Sequence, residues 1–89
     1  MRFATDLAEE ELLRLSRESF PRFHTQPGLQ QKYYVRDAAT GLVGGVYLFD
    51  DEQAARDYVA GPIVAAVPHR FQVVGDVSVE VLEVTLTLN

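Results

Sequence analysis

Cysteine and tryptophan are both missing from the 89 residues. Without cysteine there is no disulfide staple, no thiolate ligand for zinc or an iron–sulfur cluster, and no thiol nucleophile. Basic side chains are few: eight Lys and Arg stand against thirteen Asp and Glu, for a formal net charge of −5 and a pI of about 4.8. They are scattered rather than clustered, so neither nucleic acid nor an anionic membrane surface is an expected partner. No run approaches the roughly 20 apolar residues of a membrane span. The opening residues Met1 to Asp6 lack the apolar stretch and cleavage site of a secretory leader. A cytoplasmic chain is expected.

What is present is ordinary globular material, 47% hydrophobic and 24% charged, in a length that fits one domain spanning residues 1–89. A domain this small buries only about 60% of its unfolded surface, so association with a second copy would add useful buried area.

Met1 to Thr5 is a short apolar strand start. Asp6, three residues before Glu9, has the spacing of a capping box and predicts a helix opening there. Leu12, Leu15, Ser16, Ser19 and Phe20 recur at helical steps and mark one apolar or small face, with Pro21 ending the helix near Phe20. Pro27-Gly28 is a turn signal. From Leu29 to Asp37, alternation puts Leu29, Tyr33 and Val35 on one side of a strand and Gln30, Lys32, Tyr34 and Arg36 on the other. Asp37 to Gly41 reads as a hairpin loop returning into a strand from Leu42 to Phe49.

Asp50, with Gln53 three residues on, predicts the cap of a second helix whose packing side is Ala54, Ala55, Tyr58 and Val59. Gly61-Pro62 stops it, and Pro62 to Val67 reads as one short helical turn. Beyond Arg70 the apolar residues alternate as Val77, Val79 and Val81, then as Leu82, Val84, Leu86 and Leu88. The phase slips by one, which predicts a bulge in a long final strand. The order strand, helix, strand, strand, helix, strand predicts an α+β fold: ferredoxin-like βαββαβ, with a four-stranded antiparallel sheet and both helices on one face. The bare sheet face and the apolar final segment call for cover, and a homodimer would supply it.

Pro27-Gly28-Leu29, the loop from Asp37 to Gly41, the strand Gly44-Gly45-Val46-Tyr47-Leu48-Phe49 and the acidic start of the second helix resemble the YdhR-like monooxygenases. These belong to the dimeric α/β-barrel superfamily. The resemblance implies two ferredoxin-like subunits packed sheet against sheet, with a pocket between sheet and helices in each. It also implies oxidation of a small phenolic or quinone-forming aromatic by molecular oxygen, with no cofactor. Haem-degrading relatives use a pocket tryptophan, and this chain has none.

Candidate residues follow. Gly44-Gly45 inside a strand allows either a close backbone approach or room for a flat ligand. Tyr33 and Tyr34 are adjacent on a strand and must point to opposite faces. Both, with Phe49 and Tyr58, are candidate substrate-binding aromatics, able to stack on a ring or aim an O–H at a substrate oxygen. Tyr47 is a candidate catalytic residue for holding that oxygen, and His69, just before the last strand, is a candidate base. Two distant histidines make no metal motif, and no glycine-rich nucleotide-binding loop is present, so neither a metal nor another cofactor is expected. A non-catalytic binding or stress-response dimer, or an isomerase or cyclase of the same architecture, would use the same pocket.

Overall fold

The computed structural model describes residues 1–88. The elements run β1 (Arg2–Thr5), α1 (Glu9–Glu18), α2 (Phe20–His24), β2 (Leu29–Arg36), β3 (Val43–Phe49), α3 (Glu52–Val59), α4 (Pro62–Arg70) and β4 (Val73–Ser78). The four strands form one antiparallel sheet in the order β2-β3-β1-β4. This is the expected ferredoxin-like α+β arrangement, with each of the two helical connections divided into two pieces.

The divisions have local causes. Pro21 does not merely end the first helix. Placed in the first turn of α2, where its missing N–H has no partner to lose, it starts a second short one. Asp6 does not cap α1, which begins at Glu9 after Ala8 without a side-chain cap. The backbone around Asp6 is engaged elsewhere: its N–H donates to the Gln72 carbonyl at 3.2 Å, and the Leu7 N–H to Thr5 Oγ1 at 3.1 Å. The Thr5 hydroxyl in turn donates to the Phe71 carbonyl. These bonds tie the end of β1 to the α4–β4 corner and delay the helix.

The cap of α3 is Asp51, whose carboxylate accepts from the Ala54 N–H at 2.8 Å. Asp50, the residue expected in that role, instead accepts from Gln30 Nε2 at 2.8 Å. Pro62 opens a full helix of nine residues rather than a single turn. Pro68, inside this helix, forfeits the bond that an N–H there would have made to the Val64 carbonyl.

The inward stripes follow the predicted periodicity except at Phe20: Ser16 and Ser19 are buried on the α1 side and Tyr58 on α3, whereas Phe20, expected on the same face, is 46% exposed. Each serine hydroxyl bonds back to the carbonyl four residues earlier, Leu12 and Leu15 respectively, so neither is left unsatisfied. A small core of Phe3, Val43 and Val67 sits between sheet and helices, flanked by Leu12, Phe71, Val73 and Val77.

The glycine pair serves close approach. A Cβ on Gly44 would lie 1.8 Å from the Met1 carbonyl oxygen, and one on Gly45 would lie 3.0 Å from the Tyr47 ring. The space freed at Gly44 therefore holds the chain before β1, and that freed at Gly45 holds the neighbouring tyrosine.

The long final strand is not formed. β4 ends at Ser78, and residues 79–88 run on without strand pairing, so the expected bulge between Val81 and Leu82 has no strand to interrupt. Leu82, Leu86 and Leu88 there are 80%, 89% and 104% exposed.

Gly44→Ala is expected to lower stability by about 2–3 kcal/mol, because the clash is with backbone that must move to admit it. The midpoint of urea unfolding checks this; an unchanged midpoint would mean that β1 and β3 do not approach as described.

Candidate functional site

Strand parity decides what the site is made of. Lys32 lies opposite Tyr47, Tyr34 opposite Gly45 and Arg36 opposite Val43, and this set turns toward the helices. Tyr33, opposite Val46, and Val35, opposite Gly44, belong to the helix-free face. Of the adjacent tyrosines, Tyr34 is therefore the inner one.

A cavity of about 180 Å³ lies between the sheet and the helices. Lys32, Tyr34 and Tyr47 form its floor. Ser16 of α1, Phe23 of α2, Tyr58 of α3 and Arg70 of α4 contribute to its walls. The aromatic side chains form one cluster. Tyr47 and Tyr58 have ring centroids 5.2 Å apart, Phe23 lies 6.2 Å from Tyr47 and 6.1 Å from Tyr58, and Phe49 lies 5.5 Å from Tyr58. Phe20 covers Tyr34 at 5.9 Å, and the Tyr34 hydroxyl donates to the Ser16 carbonyl at 3.3 Å.

Lys32 is the residue sequence reasoning missed. Its Nζ lies 3.5 Å from the centroid of Phe23, 4.1 Å from Tyr34 and 4.8 Å from Tyr47. The ion pairs among the described residues join Arg14 to Glu11 and Glu18, and Arg56 to Glu52, all on exposed helix surfaces; none reaches Lys32. Burial without a counter-charge pulls the amine down from 10.5 to about 7. The ring faces act in the opposite sense, favouring the ammonium by about 0.5–2 kcal/mol. A signal was available, since alternation placed Lys32 on the same side as Tyr34.

Burial moves the pocket tyrosines the other way. Tyr47 is raised far above the ordinary phenol value, mainly by burial and further by the adjacent Tyr58. Tyr34 and Tyr58 are raised by the same principal cause. All three stay protonated at neutral pH and can donate a hydrogen bond.

The other expected residues are distributed as follows. Tyr33 is 52% exposed on the helix-free face. Phe49 lines a second, wider cleft of about 660 Å³, together with Tyr47 and Tyr58 and against residues 79–84. His69 is exposed near the end of α4 and lines neither space. The structure thus brings together Tyr34, Tyr47 and Tyr58, adds Lys32 and Phe23, and leaves His69 and Tyr33 apart. Among the described residues no three His, Asp or Glu side chains converge as a metal site would require, and no helix is long and apolar enough to cross a membrane.

The family model described as "Putative mono-oxygenase ydhR" matches residues 2–89. The chain belongs to this family. No curated protein matches it significantly. Within the ydhR family frame, the aromatic cavity is the candidate place for chemistry.

Lys32 also leaves a thermodynamic mark. The folded chain releases the lysine proton near pH 7, whereas the unfolded chain holds it until about 10.5. Between these values the unfolded state binds more protons, so this group makes stability rise with pH. Lys32→Met is expected to remove that rise and to be relatively most stabilising below pH 7. Thermal unfolding of both proteins from pH 6 to 9 checks it; parallel curves would mean that the amine is not desolvated.

Proposed function

We propose that the chain is a cofactor-independent monooxygenase acting on a small phenolic or quinone-forming aromatic. The observation that carries this is an amine able to lose its proton near neutral pH, set among aromatic faces in a cavity of about 180 Å³. An engineered cavity of about 150 Å³ takes benzene, so the space suits one substituted ring and is too small for a flavin or a haem beside it.

Lys32 removes the phenolic proton, and Tyr47 and Tyr58, themselves fixed as neutral donors, hold the resulting oxyanion. The electron-rich ring then gives electrons to O₂. One oxygen atom bonds to ring carbon and the other leaves as water, so that phenol plus O₂ yields quinone plus H₂O. Lys32 takes the role of base in this scheme because His69 lies outside the cavity.

The proposal includes a homodimer of the dimeric α/β-barrel type. The chain exposes 6525 Å², whereas a folded monomer of 10.0 kDa should expose only about 5,200 Å². The excess matches what the structure leaves open: Tyr33, Val35, Val46, Leu48 and Val74 on the bare sheet face, and the apolar residues after Ser78. A second copy, face to face, would cover both.

Oxygen uptake by purified, metal-free protein against single-ring phenols and hydroquinones tests the activity. Turnover is expected to scale with protein, to rise with pH through about 7, and to fall about a hundredfold in Lys32→Met, with His69→Ala unaffected. Binding without uptake would favour the non-catalytic binding dimer. Product formed under nitrogen would favour an isomerase or cyclase.

Sedimentation tests the assembly. A dimer is expected for the native chain and a monomer for the Val46→Asp, Leu48→Asp double variant. A native monomer at micromolar concentration would remove the barrel.

A further inference from the structure

The cavity is more basic than the molecule around it. In a chain of net charge −5, the charged residues lining this space are Arg22, Lys32, Arg36 and Arg70 against one carboxylate, Glu9. None of these four basic side chains belongs to an ion pair among the described residues. Thirteen carboxylates were available to neutralise them.

Arg70 is the most specific of the four. One of its terminal nitrogens, Nη2, donates to the Leu15 carbonyl at 3.1 Å and to Ser19 Oγ at 3.3 Å, which fixes the guanidinium against α1. Its Nε is buried and has no partner among the described residues. A buried donor left unmade is costly, and more so on a charged group. Across the cavity floor lies Tyr34, whose ring neighbours Lys32 at 4.1 Å and whose hydroxyl feels the Arg70 charge. Arginine, with a rigid planar fork, is suited to a carboxylate oxygen.

We infer that the cavity takes a single-ring aromatic carboxylate, with the carboxylate at the Arg70 guanidinium in the cavity wall and the ring beside Lys32 against the aromatic lining. This rests on reading the cavity as the substrate site and narrows its substrate class. The carboxylate end is held at Arg70, which leaves the opposite ring substituent for Lys32. An apolar pocket alone would bind neutral phenols as well as charged ones. Three arginines without an ion-pair partner among the described residues, one of them fixed against α1, select for the anion.

Calorimetric titration of the native protein with 4-hydroxybenzoate and with its neutral isostere 4-hydroxybenzamide reads this without any turnover. It therefore stands or falls separately from oxygen uptake. The benzoate is expected to bind at least tenfold tighter. Arg70→Gln is expected to bring the two ligands to equal affinity, and the exposed-helix control Arg56→Gln to leave the difference intact. Should Arg70→Gln not fold, Arg70→Lys, which keeps the charge but not the planar fork fixed against α1, is expected to lose most of the preference. Equal affinity for the two ligands in the native protein, no binding of either, or a preference that survives at position 70 would each overturn the inference.

Discussion

A lysine amine held against aromatic rings, with no carboxylate to answer it, is the constraint around which this small domain is arranged. Burying a cation is unfavourable unless something favours it in return. Here the return comes from the faces of Phe23, Tyr34 and Tyr47. Those rings must therefore converge on one point, and each comes from a different segment: α2, β2 and β3. Pro21 supports this by turning the chain into α2, which carries Phe23 over the sheet. Gly45 supports it by leaving the Tyr47 ring room to lie back along its strand.

The same arrangement explains why the hydrophobic core is so slight. Phe3, Val43 and Val67 are its buried cluster, and much of the space that a larger core would fill is given to the cavity. Stability must come from elsewhere. The clasp from Thr5 and Asp6 to the α4–β4 corner supplies some of it, and in the proposed dimer burial of the open sheet face would supply more.

Much of the fold was legible because its punctuation is local. Pro27-Gly28, the loop after Asp37 and Gly61-Pro62 each act through a backbone preference that needs no tertiary partner. In the loop, the Asp37 carboxylate accepts from the Ala39 N–H at 2.9 Å, and Gly41 takes a positive φ of 77°. Helix stripes were legible for the same reason. The caps were misplaced, one residue early at Asp50, where two acids stand in line, and two early at Asp6, whose backbone N–H is taken by the Gln72 carbonyl while Ala8 opens the helix. The end of the last strand could not be read: alternation says that residues 79–88 suit a sheet, but pairing needs a neighbour, and β4 stops at Ser78. The site was half legible. Aromatic residues on β3 and α3 drew notice by type, whereas Lys32 has the look of a solvent-facing residue until β2 is docked with that side inward. His69 drew notice by residue type, yet it lies outside the cavity, where the basic group on the floor is Lys32.

Gly45 carries a consequence for how such a pocket changes over time. An added Cβ there would meet the Tyr47 Cε1 and Cζ atoms at 3.0 Å and the hydroxyl oxygen at 3.1 Å. The phenol is thus seated on bare backbone, and its resting place is set by an absence one strand-repeat away. A single methyl group at that position would tilt the ring off its seat and into the space beside Lys32, reshaping the chamber without altering any residue that faces a bound molecule. The breadth of compounds admitted can thus drift through a position that touches none of them.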